Sequence, residues 1–267
     1  MKIGVVGCGI VGSACKFGFE KIGHEVIVHD ISLETSLQDV TSCSIVYISV
    51  PTPSRDDGSC DTSIVESVVK DLNSLKYDGI VAVKSTVTPG TTRKFSELYT
   101  GFKDLCFVPE FLRERCAITD FTENHKLLVV GSTNSETYDI VEKCHGSYPQ
   151  NIIQITPTQA ELLKYLHNTF NALRVVFSNE FYEICRAMDA DYNGVKNGLL
   201  KTSDIPDIYL DVNDNVRGYS SICWNKDIPA LIQLAKSLEL STPLINMIPE
   251  ANDNFKKTPF KGTRERY

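Results

Sequence analysis

Short apolar runs separated by polar, glycine- or proline-bearing stretches set the pattern of the first 155 residues. Strands are predicted at residues 3–6, HEVIVHD (24–30), SIVYISV (44–50), GIVAVKS (79–85), LCFV (105–108), KLLVV (126–130) and NIIQI (151–155). Helical spacing of apolar positions lies between them, after the first glycines, over TSIVESVVKDLNSL (62–75), after Pro89 and from Ser135. Strands alternating with helices specify a mostly parallel sheet covered on both faces. Ligands gather at the carboxyl ends of such strands. VPTP (50–53), KSTVTPG (84–90) and VPEFLRER (108–115) all fall at such ends. Their prolines are either plain loop punctuation or the walls of a shared cleft.

The period changes after residue 155. Thr156, Pro157 and Gln159 form a capping-box start with proline at the first helical position. Apolar residues then recur at Leu162, Leu166, Phe170, Leu173, Phe177, Phe181, Ile184 and Met188, which predicts one helix over 157–189. That is far longer than the globular mean of roughly 11–12 residues. A helix of this length bridges domains or packs on a second subunit. Val175 and Val176 lie off the narrow stripe and need a cover, so a homodimer built on this helix is expected.

Polar residues at i and i+4 share a helix face. Lys164 and Asn168 are so spaced, as are Cys223 and Asp227, and Glu110 and Glu114 would be if FLRERCA is helical. Each pair taken singly is equally compatible with a solvated face, and Cys223 with an ordinary buried cysteine.

Gly7, Gly9 and Gly12 form G-x-G-x-x-G between the first strand and first helix. Gly7 permits the tight turn, Gly9 close approach of a pyrophosphate, and Gly12 close packing of helix on strand. With Ile10 and Val11, the turn offers helix-start amides to an anion. Asp30 ends the second strand, where a carboxylate accepts ribose hydroxyls and repels a 2′-phosphate. NAD is therefore expected rather than NADP. The fold class is α/β: a Rossmann-type doubly wound parallel sheet over 1–155, an all-helical central domain with one long helix over 156–250, and a basic tail over 251–267.

Composition narrows the partners. A net charge of −7 argues against nucleic-acid binding, and no apolar run reaches the ~18 residues of a membrane span. MKIGVVGCGI resembles a short signal peptide, but glycines interrupt it and no small-residue cleavage site follows. Nine scattered cysteines without CxxC or Cys/His spacings point to reduced thiols, a cytoplasmic location and no metal.

The glycine turn, VPTP, DGSCDTS, KSTVTPG, PEFLRE, ELLKYLHNTF and C-x-x-K-D follow in collinear order, and in them the chain resembles the UDP-glucose/GDP-mannose dehydrogenase family. The resemblance implies oxidation of the primary alcohol of a nucleotide sugar to a carboxylate with two NAD per turnover. It assigns Cys223 as nucleophile, Thr86 and Glu114 near the nicotinamide and the reacting water, and Glu110 at the substrate. Lys164 and Asn168 stabilise oxyanions and Asp227 assists proton movement. It adds Val50, Pro51, Thr52, Pro53, Ser85, Thr86 and Glu114 to the cofactor site, and Phe111, Leu112, Lys164, Asn168, Tyr219 and Ser220 to the substrate site.

Three departures stand out. GYSSIC (218–223) replaces the family's GFGGSC, and Arg115 replaces a glycine after PEFLRE. The resemblance also implies a short form without the C-terminal UDP-binding domain. A two-electron dehydrogenase of the 6-phosphogluconate/hydroxyacid type, using Lys164 but not the thiol, stays open. So does an NAD-binding regulatory subunit whose catalysis has lapsed.

Overall fold

A computed structural model describes residues 1–202 and 204–255. Seven strands form one sheet in the order β2-β1-β3-β4-β5-β6-β7. They are β1 (Lys2–Val6), β2 (Glu25–His29), β3 (Ile45–Ile48), β4 (Ile80–Val83), β5 (Asp104–Phe107), β6 (Leu128–Gly131) and β7 (Ile152–Ile155). Every neighbouring pair is parallel except β5–β6, which meet antiparallel at Phe107 and Gly131. All residues of β3, β4 and β6 are buried, as expected of strands covered on both faces. The expected doubly wound sheet is present.

Alternation along the strands divides the core in two. Ile3, Val5, Ile45, Tyr47, Ile80 and Ala82 face α1 (Ile10–Lys21), α4 (Ala117–Thr122) and α5 (Ser135–His145). Val46, Ile48, Val81, Val83 and Phe107 face α2 (Ser63–Ser74) and α3 (Thr91–Leu98). The chain leaves β1 toward β2 on one side and returns to β3 on the other. That change of direction opens a crevice beyond the carboxyl ends of β1 and β3.

The described chain divides into two compact units, one of residues 1–55 and 60–164, the other of 56–59 and the residues from 165 onward. The long helix α6 (Pro157–Ala187) runs from the first into the second, followed by α7 (Tyr192–Thr202), α8 (Ile222–Ser237) and α9 (Pro243–Asp253). The predicted capping box is formed: Thr156 N donates to Gln159 Oε1 at 3.0 Å, and Gln159 N donates to Thr156 Oγ1 at 3.4 Å. No helix of the described residues is long and apolar enough to cross a membrane.

Three expectations are corrected. FLRERCA is not one helix: Glu110 lies on irregular backbone, and only Glu114–Cys116 form a 3-10 turn before α4. Glu110 and Glu114 therefore share no helix face. On α6 the covered and uncovered sides are exchanged. Val175 and Val176 are buried against Tyr219, Trp224 and Ile228, so they need no second subunit. The stripe itself is open, with Leu162, Leu166, Phe170, Phe177, Phe181, Ile184 and Met188 between 40% and 75% exposed. Finally, α9 extends through Asp253, so the first residues of the expected basic tail are helical, and its part from 256 on lies outside the described residues.

Candidate active site

The glycine turn has the geometry its residues promise. Gly7 adopts φ +88°, and a Cβ there would meet Ser49 O at 2.6 Å. A Cβ on Gly12 would lie 1.9 Å from Gly7 O, whereas one on Gly9 would meet nothing within 4 Å. Gly12 is thus fixed by packing and Gly9 by open approach. Helix α1 has no side-chain cap and no acidic residue in its first turn, so its first amides, at Ile10 and Val11, are left to an anion. Asp30 accepts the Cys8 amide at 2.6 Å, and Ser32 N and Oγ at 2.8 and 2.6 Å. These donors, Cys8 first, hold its carboxyl down to about 2, so it carries full negative charge at the crevice. The residues fit a dinucleotide.

The adjoining strand ends are tied to one another. Ser85 Oγ donates to Val50 O at 2.7 Å, linking KSTVTPG to VPTP. Within VPTP, Thr52 is buried while Pro51 and Pro53 are exposed. Thr86 is half-buried beside them, and its carbonyl accepts from Cys60 Sγ at 3.5 Å.

Beyond β5, Lys164 Nζ donates to Glu110 O at 2.5 Å and to Glu110 Oε1 at 2.9 Å, and lies 5.5 Å from the centre of the Phe111 ring. Glu110 Oε2 accepts the Leu112 amide at 2.6 Å. Burial pushes the Glu110 carboxyl up, but the Lys164 ammonium, that amide and Lys84 together bring it below its ordinary value. The pair is a formed ion pair with little solvent, 5% and 11% exposed at the side chains. Glu114 stands apart in an exposed position. The PEFLRE segment is held by Arg113, which forks onto Asp120 through Nε at 2.9 Å and a terminal nitrogen at 2.6 Å.

The helical unit carries a second polar set. Asp227 is wholly buried; Asn168 Nδ2 donates to its Oδ2 at 2.6 Å, and Lys226 Nζ to its Oδ1 at 2.6 Å. Lys226 is thus engaged by Asp227. Cys223 lies one turn earlier on α8, and of the nine cysteines, none in a disulfide, it alone is exposed. The ordinary-core alternative for this thiol is thereby overturned. Tyr219 departs from its expected role: its ring is 2% exposed and packs edge-on to Trp224 in the core, 5.5 Å between centroids. What this stretch can offer a substrate is backbone and the half-buried Ser220.

Sequence reasoning missed the residues that hold these elements. Asn252, buried on α9, accepts Tyr219 N at 2.8 Å and donates to Tyr219 O at 3.1 Å. Asn179 accepts Arg217 Nε at 2.8 Å. Nothing in their local sequence marks either. Glu161 is different, because it stands one helical turn before Lys164.

Comparison with known proteins agrees with this geometry. Residues 32–148 match the NAD binding domain, and residues 158–254 the central domain, of the UDP-glucose/GDP-mannose dehydrogenase family. The UDP-glucose 6-dehydrogenase TuaD of Bacillus subtilis is 30% identical over 94% of this chain and 63% of its own length. A GDP-mannose 6-dehydrogenase of Pseudomonas putida is 26% identical over 98% and 70%. The chain therefore spans about two thirds of the length of such relatives. The solved UDP-glucose dehydrogenase of Pyrobaculum islandicum superimposes with a TM-score of 0.86 at 24% identity, over 95% of this chain and 68% of that one. A sheet unit with a fitted dinucleotide turn, a helical unit with an exposed cysteine one turn before a buried aspartate, and two domain matches in the right order lead to one conclusion: the chain belongs to the UDP-glucose/GDP-mannose dehydrogenase family.

Proposed function

We propose that the protein oxidises the primary alcohol of a nucleotide sugar of the UDP-glucose type to the carboxylate, through a thioester on Cys223. The observation that carries this reading is Cys223 itself, exposed in the first turn of α8 and one turn before the buried Asp227. That turn contains no acidic residue, and helix-start amides favour negative charge beside them. NAD, bound at the glycine turn and Asp30, supplies the hydride acceptor for each of two oxidations.

The chain's own residues do the rest. Removal of hydride and proton from the alcohol leaves an aldehyde, and the Cys223 sulfur adds to its carbonyl to form a thiohemiacetal. A second loss of hydride and proton leaves a thioester, whose C–S bond water breaks to release acid and thiol. Lys164 and Asn168 donate hydrogen bonds to the oxyanion at each tetrahedral stage. Asp227 takes part in proton movement, and Thr86 and Glu114 position the hydrolytic water. Glu110, neutralised by Lys164, orients the sugar. Phe111, Leu112, Ser220 and the backbone at Tyr219 complete the substrate site.

The uncovered stripe of α6 supports a homodimer, since six large apolar residues on one helix are costly to leave in water. A monomeric mass at micromolar concentration in light scattering would remove that part of the reading.

The test of the function is NADH formation against UDP- and GDP-sugars, with acid measured alongside. Two NADH per acid supports the scheme. One NADH per ketone or aldehyde supports a two-electron dehydrogenase, and NAD binding without turnover supports a lapsed regulatory subunit.

A further inference from the structure

Glu161 has no part in the chemistry above, yet it is a fully buried carboxylate with three donors from one place. Its Oε2 accepts Gly90 N at 2.5 Å; its Oε1 accepts Thr92 N at 2.8 Å and Thr92 Oγ1 at 2.6 Å. Gly90 is the left-handed residue (φ +97°) that caps α3, and α3 has no cap from its own side chains. The carboxylate thus serves the start of α3 from a helix about seventy residues away in sequence, satisfying amides that would otherwise be orphaned. Burial still pushes its carboxyl up despite those bonds.

What lies on either side of this clasp gives it a use. Immediately before Gly90 runs the loop of Ser85 and Thr86, whose front end is pinned by Ser85 Oγ to Val50 O. One turn after Glu161 on α6 stands Lys164, bonded to Glu110 beyond β5. Residues three apart share a helix face, so the clasp and the ammonium move as one piece. The ends of β3, β4 and β5 are joined through Ser85, Glu161 and Lys164.

We propose that Glu161 is a positioning residue: by clasping the start of α3 it holds the Ser85–Thr86 loop in register with Lys164, and so sets the cofactor-side wall of the site. The inference rests on the reading above, in that Thr86 meets the cofactor. A displacement of about 1 Å in such a wall is felt in binding and rate.

The test is NAD affinity by titration calorimetry on the whole chain, together with the melting temperature without NAD. Glu161→Gln turns an amide N–H toward donors, and should weaken NAD binding by about tenfold even where the protein is fully folded. Glu161→Asp keeps the charge but draws it back by one methylene. It should weaken binding by about threefold and keeps the test open should the glutamine variant fail to fold. Thr92→Val leaves both amide bonds and should change affinity by less than about twofold. A lower melting temperature with NAD affinity unchanged in Glu161→Asp, while Thr86→Val does weaken binding, would make Glu161 a helix cap and overturn the inference alone. Unchanged affinity in Thr86→Val would remove the cofactor reading of the loop and the inference with it.

Discussion

Glu110, little exposed in the sheet unit, and Asp227, wholly buried in the helical unit, are carboxylates held differently. Glu110 sits on irregular backbone past β5 and finds its ammonium partner 54 residues away, in Lys164. Asp227 sits inside α8, takes an ammonium from its neighbour Lys226, and receives an amide from Asn168 on α6. The sheet unit places its polar groups by where strands stop. The helical unit places them by the period of the helix. The first carboxylate draws its bonded ammonium from a distant residue, with the local Leu112 amide beside it, whereas the second has its ammonium on its own helix.

The largest effect should come from removing that distant partner. Lys164→Met leaves Glu110 buried without its ammonium and should cost about 3–5 kcal/mol of stability at neutral pH, besides turnover. Asn168→Ala leaves Asp227 still paired with Lys226 and should cost only about 1–3 kcal/mol. Denaturant melts of the two variants would settle the ranking. Equal losses would erase the distinction drawn between the units. The Lys164→Met penalty should also shrink in acid, because a protonated Glu110 is less costly to bury.

Acid should strike the sheet unit first. Burial, with Lys84 second, holds His125 down to about 4 and His145 well below its ordinary value. Unfolded histidines titrate near 6.5, so between that value and about 4 the unfolded chain binds more protons. Stability is then complete above pH ~6.5 and falls as pH drops toward 4, by roughly 3 kcal/mol at most for His125. Glu110, whose carboxyl is lowered, adds its own loss only as pH falls further, through the carboxylate range. The helical unit contains one histidine, the exposed His167. Hydrogen exchange at pH 7 and 5 should show protection lost in β3 and α5 before α8; loss in the reverse order would contradict the account.

The same contrast explains what the sequence could tell. Helical spacing put Cys223 and Asp227 one turn apart, and α8, which starts at Ile222, carries both. The same spacing misled for Glu110 and Glu114, because Arg113 and Asp120 lock that segment into a turn no periodicity encodes. The glycine turn was legible since Gly7 and Gly12 answer steric demands and Gly9 leaves the approach open. The α6 stripe was found but its covered side was not, because a pattern cannot say which face a neighbour takes. Asn252 and Asn179 act through backbone contacts made only in the folded chain.

A smaller effect separates the cofactors. Asp30, fully ionised beside the Cys8 amide, should favour NAD over NADP by at least about tenfold, or ~1.4 kcal/mol. Equal affinities in calorimetry would remove Asp30 from the cofactor site, and with it the claim that strand ends place the sheet unit's chemistry.

The central claim is the covalent role of Cys223, and Cys223→Ser tests it most directly. Serine is a far poorer nucleophile at neutral pH without a dedicated base. The first hydride transfer needs no covalent bond to the protein. The variant should therefore bind NAD as the wild type does, and should release aldehyde slowly or stall as an ester. Its steady acid formation should fall by roughly 10³-fold or more. Acid formed at the wild-type rate would show that the thiol is only a surface residue of α8, and would contradict the mechanism.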